Sequence, residues 1–113
     1  MKIKEQVFGD VTVLTLSAVK INDALGLTLH PHVKDLLANE RKKIVIDLGK
    51  VKWFGSTSLG ALLASYTSVK EAGGELVVAR PTRKIHSVFI YTQIIRVLSH
   101  FDTIEEAVDS FSK

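Results

Sequence analysis

Apolar and polar positions divide the chain into short alternating units. Lys2–Phe8 and Val11–Ser17 are β-rich runs, and Gly9-Asp10 between them fits a two-residue hairpin turn. Residues 18–29 give no clean period, mixing Gly26 and Asn22-Asp23 with several leucines. Pro31 suits the first turn of a helix whose apolar face carries Leu29, Val33, Leu36 and Leu37 and which gives out at Asn39. After the charged loop Glu40–Lys43, the run IVIDL within Lys43–Leu48 reads as a buried central strand.

The clearest helix follows, beginning near residues 57–59. Leu59, Leu62, Leu63, Tyr66 and Val69 form one apolar stripe, and Gly73-Gly74 stops it in the manner of a left-handed C-cap. Glu75–Ala79 is a further strand ended by Pro81. Ile85, Val88 and Phe89 mark a short amphipathic helix, and Ile94–Leu98 reads as a last strand. Ile104, Ala107, Val108 and Phe111 stripe a closing helix, with Thr103 ahead of Glu105-Glu106 at its positive end. The predicted order is β-β-α-β-α-β-α-β-α: one α/β domain over residues 1–113, with a mainly parallel sheet opened by a hairpin.

Composition narrows the function classes. A chain of 113 residues that is 46% hydrophobic and 24% charged can bury a core without metal or disulfide staples. It has no cysteine, hence neither a disulfide framework nor a thiolate metal site. MKIKEQVFGD lacks the apolar region of a signal peptide, and no run approaches a bilayer-spanning length, so a soluble cytoplasmic protein without membrane attachment is expected. The net charge of +3 invites a nucleic-acid reading. The basic groups Arg41-Lys42-Lys43 and Arg80 to Lys84 have no interleaved aromatics, however, and read as solvated loops and helix ends.

Candidate chemistry gathers in WFGSTSLG, residues 53–60, where the central strand hands over to the best helix. This is the carboxyl edge of the sheet, the usual place for function in such folds. Gly55 and Gly60 have the spacing of a phosphate-binding loop, but Ala61-Leu62 stand where that motif needs Lys and then Ser or Thr. A nucleophile elbow needs G-x-S-x-G, and Ser56 is out of place for it. The candidate bases His30, His32, His86 and His100 come with no evident acidic partner. His30-Pro31-His32 lacks the i, i+4 spacing that presents two imidazoles to zinc, so neither metal nor cofactor is expected.

Two readings of the three hydroxyls Ser56, Thr57 and Ser58 remain. One of them can cap the helix, stabilising it by roughly 1 kcal/mol. That role needs a single hydroxyl. The surplus fits a phosphoacceptor, since a phosphate at a helix N-terminus is tolerated locally yet changes the surface charge sharply.

The stretch IVIDLGKVKWFGSTSLGALL resembles the central motif of STAS domains, the family of bacterial anti-sigma-factor antagonists. SVKEAGGELVVARP and FDTIEEAVDSF extend the likeness over essentially the whole chain, with specific matches at Asp47, Leu48, Val51, Ser56, Leu59, Gly60, Gly73 and Gly74. The resemblance implies the STAS fold, with helices packed mostly on one face of the sheet. It also implies a binder rather than an enzyme. By that likeness the second hydroxyl, Thr57, with Ser56 as the alternative, accepts phosphate from a GHKL-type kinase that is itself the anti-sigma factor. The unmodified protein would bind that factor through a switch loop of Gly55, Ser56, Thr57, Ser58 and Gly60. A PP2C-like phosphatase would restore binding, and the protein would be a monomer or weak dimer. Two positions depart from the family pattern: Gly55 replaces the motif aspartate, and Ser58, a credible N-cap, replaces a glycine. The segment around AVKIND also differs from family members with an acidic residue just after the second strand. A scaffold or ligand-binding STAS module of a signalling or transport assembly is the alternative.

Overall fold

A computed structural model describes residues 2–17, 25–52 and 55–112. The segment AVKIND, with the Asn22-Asp23 pair, and Trp53-Phe54 lie outside the described residues.

Strands β1 (Lys2–Phe8) and β2 (Val11–Ser17) form the expected antiparallel hairpin, from Lys2 opposite Ser17 to Phe8 opposite Val11. Gly9 supplies its turn with a φ of +65°, where a side chain would be strained. Strands β3 (Lys43–Lys50) and β4 (Glu75–Ala79) continue the sheet in parallel, so Thr15 lies beside Asp47 and Asp47 beside Ala79. The last strand, β5, is only His100–Phe101, paired to Val78 and Ala79. Sheet order is β1-β2-β3-β4-β5.

Strand alternation splits the apolar residues between two faces. Leu14, Leu16, Ile44, Ile46, Leu48, Leu76 and Val78 pack beneath helices α1 (Leu25–Ala38), α2 (Ser56–Glu71) and α3 (Arg83–Tyr91). Val11, Val13, Val45, Val77 and Ala79 face helix α4 (Ile104–Asp109). Among the described residues three α-helices cover one face and one covers the other, the mostly one-sided packing that the STAS resemblance implies.

Two local expectations are corrected. Pro31 lies inside α1, not in its first turn. Its missing N–H and ring clash disfavour a helix interior, but Leu29, Val33 and Leu36 on the same helix are buried, and that packing outweighs the local cost. Ile94–Leu98 is no strand: Ile94–Arg96 winds as a 3₁₀ turn after Gln93, whose φ is +65°. Val97 and Leu98 both donate their amides to the Ile94 carbonyl, which buries Ile94 and Leu98 at helical spacing. The buried stripe of α2 is Ser58, Ala61, Leu62, Ser65 and Val69, with Leu59, Leu63 and Tyr66 flanking it half-buried. The helix is therefore rotated toward its small residues, which allows close approach to α1 and the sheet.

The end of α2 matches its sequence signal. Gly73, at φ +84°, donates to the Lys70 carbonyl and Gly74 to that of Val69, the paired bonds of a Schellman motif.

Candidate functional site

Helix α2 starts directly off the carboxyl end of the central strand. Its N-cap is Gly55, with extended backbone (φ −87°, ψ 176°), and the first helical bond runs from the Leu59 amide to the Gly55 carbonyl. The expected start at 57–59 with a hydroxyl cap is thereby corrected: Ser56 is the first helical residue and Ser58 the third. Ser58 is not the cap but part of the buried face, only 3% exposed. Ser56, Thr57 and Gly60 are exposed, and Gly55 is half-buried.

Sixteen residues of aligned peptide dipoles end at this first turn, which holds no acidic side chain. The approach to it carries exposed Lys50 and Lys52. The local field therefore favours an anion on the exposed hydroxyls. Gly60 stands on the exposed side one turn further on, and a Cβ built there meets nothing within 4 Å. Among the described residues nothing requires that glycine.

Earlier on β3, and on the opposite face of the sheet from α2, lies a part-buried ion pair. Asp47 is fully buried on the α4 face of β3. Its Oδ1 accepts from the Gly49 amide at 3.0 Å and from Arg80 Nε at 2.8 Å, and its Oδ2 accepts from Thr15 Oγ1 at 2.9 Å and from Arg80 Nη2 at 2.8 Å. Burial pushes the carboxyl pKa up, but the bonds from Arg80, Gly49 and Thr15 outweigh it and hold the group below its ordinary value. Arg80 is thus not one of the solvated loop charges that the basic cluster implied. The cue was present in the sequence, because an aspartate inside the apolar run IVIDL needs a cation and Arg80 follows the neighbouring strand. Members of the other basic group are engaged too: Arg41 Nε donates to buried Thr12 Oγ1 at 3.0 Å, and Lys43 pairs with Asp10 at 2.7 Å.

The histidines are committed elsewhere. His30 Nε2 lies 2.8 Å from Ser68 Oγ on α2, whereas His32 Nε2 lies 3.0 Å from Glu5 Oε1 on β1. One ring thus addresses a helix and the other a strand, and they do not converge on one ion. His86 and His100 pack with ring centroids 5.0 Å apart beside a cleft of about 270 Å³ that also involves Arg83 and Asp102. Among the described residues no three metal-ligating side chains come together, and no helix is long and apolar enough to cross a membrane.

Comparison with known proteins bears on the family and the fold. A protein of Thermotoga maritima, provisionally named an anti-sigma factor antagonist, is 31% identical over 67 residues, a match spanning 59% of each chain. A crystal structure of an antagonist of that provisional name from the same organism superposes with a TM-score of 0.86 at 23% identity, covering 98% of this chain and 95% of that one. Phosphorylated SpoIIAA of Bacillus gives a TM-score of 0.75 at 14% identity, covering 97% and 99%, and so shares the fold. The sequence model of the STAS domain matches residues 3–107, and the chain belongs to the STAS family.

Proposed function

We propose that this chain is an anti-sigma-factor antagonist that binds its anti-sigma factor through Gly55–Gly60 and is switched by phosphorylation of Thr57. The carrying observation is the placement of the hydroxyls. Thr57 is exposed in the first turn of α2, Ser58 is buried, and no carboxylate competes in that turn. A phosphate there adds close to two negative charges beside a helix N-terminus, which tolerates them, while reversing the charge a partner meets. The Thermotoga relatives are named as antagonists, and SpoIIAA is known in both phosphorylated and unphosphorylated forms. Those names support the class. The partner would be a GHKL-type kinase and the reverse step a PP2C-like phosphatase; the chain itself is substrate and binder, not a catalyst.

Gly55 favours a second reading, in which the same surface binds a partner without a phosphorylation cycle. The family's aspartate at this position is absent, so a kinase that reads a carboxylate beside the acceptor finds only backbone. Intact mass after incubation with ATP and a GHKL-type anti-sigma kinase separates the two. Phosphorylation predicts a gain of one phosphate that Thr57→Ala abolishes and Ser56→Ala retains. An unmodified mass together with tight binding selects the second reading.

A further inference from the structure

The residues that follow β4 fasten the end of β3 and Val51 after it, ahead of the switch segment in the chain. Arg80 sits at φ +53°, a left-handed conformation that a residue before proline rarely adopts. Its amide donates to the Phe101 carbonyl at 2.8 Å, which anchors it to β5, and its guanidinium forks onto Asp47. Gly49 makes room for that fork: a Cβ at 49 would lie 2.5 Å from Arg80 Cζ and 2.6 Å from Nε. Two residues further on, Thr82 Oγ1 donates to the Val51 carbonyl at 3.4 Å, and Val51 in turn donates its amide to Leu48. Val51 is buried, and the N-cap Gly55 follows four residues later.

We infer that Arg80 is a positioning residue for the switch segment, and that Gly49 is kept side-chain-free to seat its guanidinium. The fork holds the exit of β3 in one place, and α2 therefore presents Ser56, Thr57 and Gly60 in one orientation. An interface held in its binding geometry loses less freedom on association, so the clamp acts on partner affinity without touching the partner. This inference rests on the reading of Gly55–Gly60 as the partner-binding segment, but its test needs neither partner nor kinase.

The geometry supplies a way to open the clamp with both charges still present. Gly49→Ala displaces the guanidinium, the movable end of a side chain, rather than backbone. Amide and Arg Nε–H spectra by ¹⁵N NMR would be compared for wild type, Gly49→Ala, Arg80→Ala, Arg80→Lys and the Gly49→Ala/Arg80→Ala double variant. In Gly49→Ala the Arg80 Nε–H loses its protection from exchange by about tenfold or more, as expected for a coupling of this kind. Both single alanine variants shift the amides of residues 49–52 and also those of Ser56–Leu59. The double variant matches Arg80→Ala instead of summing the two. Arg80→Lys keeps the charge but not the fork and shifts the same first-turn amides. Shifts confined to β3 and β4 would overturn the positioning role, as would a lysine variant indistinguishable from wild type. Additive effects in the double variant would overturn the seating of the guanidinium over Gly49. Failure of Thr57 to accept phosphate bears on the functional reading and leaves each of these outcomes unchanged.

Discussion

Arg80 and Asp47 meet in a two-point fork, Nε to Oδ1 and Nη2 to Oδ2, each at 2.8 Å. The partners differ in exposure: the Asp47 side chain is fully buried, whereas 41% of the Arg80 side chain is open to water. Removing one partner is therefore not equivalent to removing the other. Arg80→Ala strands a buried carboxylate and is expected to cost about 3 kcal/mol. Asp47→Asn keeps the shape and leaves a guanidinium that water can reach, at about 1–2 kcal/mol. Urea unfolding of the two variants gives the order, and a larger loss for Asp47→Asn would refute the asymmetry.

The same pair fixes a pH dependence. Asp47 has a folded-state pKa below its ordinary value of 3.8, so the unfolded chain takes up this proton more readily than the folded one. Its stabilisation is complete above the unfolded pKa and fades as pH falls through the folded pKa. The stability gap between wild type and Asp47→Asn should stay constant above about pH 5 and narrow below about pH 4. Thermal unfolding between neutral and acid pH measures it; a gap that widened toward acid would show the opposite sign.

Sequence patterning exposed the fold wherever burial and local chemistry agreed. The β1–β2 hairpin, β4 and the Gly73-Gly74 stop lie where alternation and glycine place them, because there the local preference is also the packed one. Pro31 and Ile94–Leu98 depart from their local patterns because tertiary burial overrides a local rule: a buried face carries α1 past its proline, and a left-handed Gln93 winds a β-branched run. At the candidate site the hydroxyls were visible, but which of them faces solvent depends on how α2 is rotated against α1 and the sheet. The Arg80–Asp47 pair joins residues 33 positions apart, and only the parallel pairing of β3 and β4 brings them together.

The two glycines that close α2 should differ in what they tolerate. Gly73 is needed for its φ of +84° alone, since a Cβ there meets nothing within 4 Å. Gly73→Ala is then expected to cost about 1 kcal/mol, the penalty of left-handed backbone. At Gly74 a Cβ would run into the Lys42 carbonyl oxygen, and backbone cannot step aside cheaply. Gly74→Ala should therefore be the more destabilising of the two by denaturant titration, and equal losses would contradict the close approach.

Gly60 poses the reverse case. It is an exposed helix-interior glycine with open space around its missing side chain. Gly60→Ala should stabilise the isolated protein by about 0.5–1 kcal/mol. If a partner's backbone packs on this turn, the same methyl group should weaken binding. Calorimetric melting and partner titration of one variant test both halves, and unchanged affinity would remove Gly60 from the binding surface.

Thr57→Glu separates a switch from damage to the fold. Thr57 is the second residue of α2, where a carboxylate faces the positive end of the helix dipole. The variant should hold or raise stability, by about 0.3–1 kcal/mol. Under the proposed function it should also lose its anti-sigma partner, because the negative charge stands where a phosphate would. Loss of binding by a protein that melts no lower than wild type cannot be ascribed to unfolding. Thr57→Ala supplies the control: it lacks the charge and should still bind. Parallel melting curves and titrations of the three proteins decide the matter, and a glutamate variant that binds as tightly as wild type would exclude a charge switch at this position.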